Sequence, residues 1–154
     1  MNRENILAVA NAIETHSIPD LGFNMGWHIG SLADDPNNTA MVDRSGNGCG
    51  TVACIAGYAN VIATGEKNTS FLTDVEFDSA ADWLGLDHYD ADELFYAKTI
   101  TESRWEDGEI ALAPRSLSSI DATEAVAVLR HLADTGIVDW SVAASPPVDG
   151  ETGK

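Results

Sequence analysis

The chain has 154 residues, 44% of them hydrophobic, which suits one domain with a sizeable core and excludes a disordered acidic polymer. Its 25 acidic residues outnumber 8 basic ones, for a formal net charge of −17. A surface this negative repels phosphate backbones and anionic headgroups, so direct binding to nucleic acid or membrane is disfavoured and attraction to a basic protein surface is favoured.

The first predicted element is an amphipathic helix over residues 3–14, with Ile6, Val9, Ala10 and Ile13 at helical spacing and a stop before Ser17-Ile18-Pro19. From Asp20 to Asn47 the periodicity dissolves. Glycines alternate with large apolar groups, and Asp34-Asp35-Pro36-Asn37 forms turns, so an irregular loop pinned by Phe23, Met25 and Trp27 is expected. The stretch Thr51–Ala63 is apolar on nearly all sides, the mark of a buried central helix, with Thr51 or Gly50 capping its start and Gly65 its end.

Phe71 to Phe77 has the composition of a short strand interrupted at Thr73-Asp74. Two short helices are predicted next, one opened by Ser79 and closed at Gly85, the other opened by Asp90 with Glu93 three residues on. Trp105 lies in a polar, irregular stretch. The clearest helix start is Asp121-Ala122-Thr123-Glu124, followed by an apolar stripe through Ala125, Val126, Leu129 and Leu132 and a glycine stop at Gly136. The expected fold is mostly α: a small irregular helical bundle around a buried central helix, with long loops, forming one acidic domain over 1–140 and a disordered tail over 141–154.

No secretory signal stands at the start, where Arg3 and Glu4 interrupt any apolar run, and no segment approaches the roughly 18 apolar residues of a membrane span. Cys49 and Cys54 lie too close together for a secreted disulfide framework, so a cytoplasmic location is the default and the sequons at Asn37 and Asn68 carry no weight.

The run Cys49-Gly50-Thr51-Val52-Ala53-Cys54-Ile55-Ala56-Gly57 resembles a signature of small uncharacterised bacterial, phage and plasmid proteins. The similarity extends to Phe23/Met25/Trp27, Leu84-Gly85-Leu86, Leu94-Phe95 and Thr123-Glu124-Ala125, covers roughly residues 20–136, and departs at Tyr58, where Trp or His is expected. It implies a compact helical fold and a mobile-element origin, and supplies no activity.

Four chemical readings compete with a binding role. Cys49 before a helix N-terminus would gain thiolate character and serve a cysteine hydrolase, with His28, His88 or His131 as base and Asp87 or Asp139 as orienter. The strand that such an enzyme needs for its histidine is missing, so small buried cysteines are the better reading. A Cys49–Cys54 metal site lacks a second ligand pair. The turn Gly46-x-Gly48-x-Gly50-Thr51 lacks the lysine of a phosphate loop. Paired carboxylates for glycosidic chemistry are conceivable, but no one acid is singled out. No cofactor is expected.

The remaining feature is acidic. Between residues 68 and 97 there is no Lys or Arg, while Asp74, Glu76, Asp78, Asp82, Asp87, Asp90, Asp92 and Glu93 accumulate. Such a row can imitate phosphates and occupy the nucleic-acid groove of another protein, as phage DNA-mimic inhibitors do; its plain alternative is a solvated face with caps. An interaction role through these eight residues ranks first, against the basic surface of a nucleic-acid-binding defence or regulatory protein. The cysteine hydrolase using Cys49 with His28 or His131, and a structural phage accessory with no charge-specific partner, follow it.

Overall fold

The computed structural model describes residues 1–31, 51–67, 73–102, 104–106, 109–112 and 114–144. Among the described residues six α-helices dominate: α1 (Arg3–Thr15), α2 (Ile55–Thr64), α3 (Asp74–Leu84), α4 (His88–Tyr96), α5 (Lys98–Thr101) and α6 (Ala122–Thr135). Short strands join them: β1 (Gly22–Phe23), β2 (Ile29–Ser31), β3 (Thr51–Ala53), β4 (Arg104–Glu106) and β5 (Glu109–Leu112). The mostly α expectation holds, and no described helix is long and apolar enough to cross a membrane.

Helix α1 forms where its apolar spacing predicted, with Ile6, Val9, Ala10 and Ile13 all buried on one face. Asn2 caps it by accepting a hydrogen bond from the Asn5 backbone at 3.2 Å. That face packs chiefly on α6, whose Ala125, Val126, Leu129 and Leu132 are buried in turn. The Asp121–Glu124 capping box is complete: the Glu124 amide donates to Asp121 and the Asp121 amide donates to Glu124, each at 2.9 Å. The closing glycines expected for α2, α3 and α6 are all in place, at Gly65, Gly85 and Gly136.

Helix α2 is the central one, packed against α1, α3 and α4, with Ile55, Ala56, Tyr58 and Ala59 fully buried. Its start differs from the expectation. Residues 51–53 are a strand, and the helix begins at Ile55 with Cys54 in the N-cap position. β3 is the middle of a three-stranded sheet, parallel to β1 (Gly22↔Val52) and antiparallel to β2 (Ile29↔Ala53). Helical periodicity could not expose this, because a fully apolar stretch has none, and Thr51-Val52-Ala53 meets its partners only in three dimensions. Of the three side chains expected to pin an irregular loop over 20–47, Phe23 and Met25 are buried and Trp27 is half-buried, but the described part of that segment, up to residue 31, is not all loop: Gly22–Phe23 and Ile29–Ser31 are strands, formed because β3 offers them backbone partners.

Two more boundaries move. Asp74 to Phe77 is the first turn of α3, not part of a strand, and α3 therefore starts five residues before Ser79. α4 starts at His88 with Asp87, not Asp90, as its cap; the Asp90 amide donates to the Asp87 carboxylate at 2.9 Å. Trp105 pairs with Ile110 in the β4–β5 hairpin. The glycine-rich turn before Gly50, the residues Phe71 and Leu72, both sequon asparagines and the tail beyond 144 lie outside the described residues.

Candidate protein-interaction face

The eight acidic residues sort into two sets once α3 and α4 are in place. Helix α3 buries Phe77, Ala80, Ala81 and Leu84 against the core, so positions 74, 78 and 82 fall on its outer side at successive intervals of four. Asp74, Asp78 and Asp82 are all exposed and make a row of about 12 Å along the helix axis, at 1.5 Å per residue. Val75, 72% exposed, lies on the same side, one turn from Asp78 and two from Asp82.

The other five have local partners or are partly withdrawn from solvent. Asp87 caps α4. The half-buried Asp90 carboxyl is raised above its ordinary value, first by burial and then by the Asp87 charge, with the Met1 amine acting in the other direction. Asp92 pairs with Lys98, which raises the lysine chiefly through their hydrogen bond. Glu93 accepts from both the backbone and the hydroxyl of Thr99, at 3.1 and 2.6 Å, tying α4 to α5. Glu76 is half-buried, with Oε2 shielded from solvent and no hydrogen-bond partner among the described residues.

Cys49 lies outside the described residues. Since α2 begins at Ile55, the N-terminal position assigned to Cys49 belongs to Cys54. Its thiol is buried and pushed up to about 11 by desolvation, which outweighs the backbone hydrogen bonds that favour the thiolate. His28 is 5% exposed, and the β2–β3 register sets it beside Cys54. The Asn60 amide nitrogen donates to the Glu76 carbonyl at 3.0 Å and lies 3.0 Å from His28 Nε2. His131 stands on α6, half-buried, and its charge helps to hold the Asp139 carboxyl low, after the larger effect of hydrogen bonds from Ser141. No group of three or more metal-ligating side chains occurs among the described residues.

Two contributors escaped the sequence reading. Asn60 is the one amide side chain in the mostly apolar helix α2 and links α2, α3 and the approach to β2; its place in the middle of that apolar stretch was the available signal. Tyr89 is 82% exposed in the first turn of α4, where its polar neighbours Asp87, His88 and Asp90 were the available signal. No known protein family, curated protein or solved structure matches the chain.

Proposed function

We propose that this chain is a small cytoplasmic binding protein that engages the basic surface of a nucleic-acid-binding protein through its acidic α3–α4 face. The observation that carries the reading is the exposed row Asp74, Asp78 and Asp82, within a segment that has no Lys or Arg from residue 68 to 97. Three carboxylates on one rigid helix offer a basic groove fixed negative charge, and the whole-molecule charge steers such a partner from a distance. The mobile-element origin implied by the 49–57 resemblance gives only a setting for this reading, in which the partner is a host defence or regulatory protein that the chain inhibits.

The test compares the native chain with two triple variants of equal net charge as bait in bacterial lysate at low and high salt. One carries Asp74→Asn, Asp78→Asn and Asp82→Asn; the other carries Glu4→Gln, Asp20→Asn and Glu102→Gln. The expected result is salt-sensitive capture of nucleic-acid-binding proteins by the native chain and the second variant, lost with the first. Equal capture by all three, or capture indifferent to salt, would overturn the proposal.

A further inference from the structure

An aromatic strip runs along the contact of α3 with α4. The buried Phe77 ring has the rings of His88 and Tyr96 at centre-to-centre distances of 5.1 and 6.1 Å, the first tilted and the second nearly parallel at 16°. Phe95 meets Phe77 edge-on at 5.2 Å. His88 is exposed and Tyr96 half-buried, so the strip reaches the surface. Each helix also brings a carboxylate to it. Asp92 lies four residues before Tyr96 on α4, and Asp74 lies three residues before Phe77 on α3, both spacings of helix-surface neighbours. The Tyr96 phenol is held above its ordinary value first by burial, then by Asp92, Cys54 and Asp74, with Lys98 acting in the other direction. The two acids differ in what they hold. Asp92 takes Lys98 as its cation, whereas Asp74 is exposed and in none of the ion pairs among the described residues.

We propose that Tyr96 and Asp74 form a recognition site for an arginine side chain of the basic partner, with the Tyr96 ring braced by Phe77. The inference rests on the charge-directed binding proposed above and names the side chain that is read. A row of carboxylates alone needs only a positive charge opposite it, which Lys and Arg both supply. An aromatic ring next to a carboxylate discriminates. The planar guanidinium stacks on the ring while its fork of N–H donors meets the acid, whereas an ammonium is more strongly hydrated and has no plane to stack. Lys98 on Asp92 displays the charge that this corner takes from the chain itself. Asp74, on the other helix, is left as the open acceptor. The ring that would carry the stack is not a loose side chain, since Phe77 lies nearly parallel to it and is fixed in turn by Phe95.

The probes are oligo-arginine and oligo-lysine peptides of equal length, titrated at low salt into the native chain and into the single variants Tyr96→Leu, Asp74→Asn and Glu4→Gln, each shown by thermal melting to be folded. The native chain should bind the arginine peptide about tenfold more tightly than the lysine peptide. That ratio should fall to about threefold or less in Tyr96→Leu and in Asp74→Asn, and stay in Glu4→Gln, which removes a charge elsewhere. Asp74→Asn changes only an exposed side chain, so the test holds even where Tyr96→Leu does not fold. Equal binding of the two peptides by the native chain, or a preference that survives Asp74→Asn or a folded Tyr96→Leu, overturns the arginine site. Salt-sensitive binding of the lysine peptide in those cases leaves the charge-directed reading in place. A native chain that binds neither peptide at low salt removes both.

Discussion

Gly57 shows how closely the central helix is fitted. A Cβ at that position would lie 1.8 Å from the His28 carbonyl oxygen and 2.8 Å from the Ala53 Cβ, so even a methyl group displaces backbone. Overpacking of this kind costs about 1–3 kcal/mol and more where backbone must move. Gly57→Ala should therefore lower the unfolding free energy read from urea denaturation by an amount in or above that range, and an unchanged value would show that β2 can yield. Cys54 is the residue where two effects oppose each other. Its N-cap position favours the thiolate, but burial wins and raises the thiol to about 11. In a Cys49→Ser background, the remaining thiol should react with a disulfide reagent at neutral pH only at the rate of unfolding, and should react at once in denaturant. Rapid labelling of the native variant would mean that Cys54 is accessible.

Single helices carry the next set of effects. Asp121 and Glu124 satisfy each other's amides at the start of α6, and Arg115 adds a two-pronged contact to Glu124 at 2.7 and 3.0 Å. Replacing Asp121 by Ala removes the side-chain acceptor of the Glu124 amide and keeps the backbone amide that donates to Glu124, at a cost of about 0.5–2 kcal/mol readable in chemical denaturation. A cost near zero would mean that Arg115 alone holds the helix start. Helices also set the sign of the pH response. The raised Asp90 carboxyl takes up its proton more readily in the folded chain, so its penalty is full above the folded pKa and gone below the unfolded one. Asp90→Asn should raise the melting temperature at pH 7 and leave it unchanged near pH 3. Asp139 behaves oppositely: its lowered carboxyl stabilises above the unfolded pKa and loses that contribution as pH falls through the folded value. Asp139→Asn should accordingly lower the melting temperature at pH 7. If both substitutions act alike at the two pH values, electrostatics do not govern these sites.

For the molecule as a whole, a charge of −17 sets repulsion against a core built from α1, α2 and α6. The four ion pairs among the described residues are all partly exposed, and such pairs contribute little. Screening shortens from about 30 Å at 0.01 M salt to about 3 Å at 1 M, which relieves repulsion between distant carboxylates more than it weakens close pairs. The melting temperature should rise by several degrees between 0.01 and 1 M NaCl, and a flat or falling response would mean that the acidic residues are too dispersed to repel. Local chemistry alone determined much of this protein: the α1 and α6 stripes, the Asp121 capping box, the closing glycines and the acidic segment, because each depends on residues within one or two turns of each other. Only the tertiary structure decided the rest. Partners remote in sequence made Thr51–Ala53 a strand, turned Asn60 toward His28, and separated an exposed row on α3 from acids engaged in caps and pairs, since burial and contact are properties of the packed chain that no spacing along it contains.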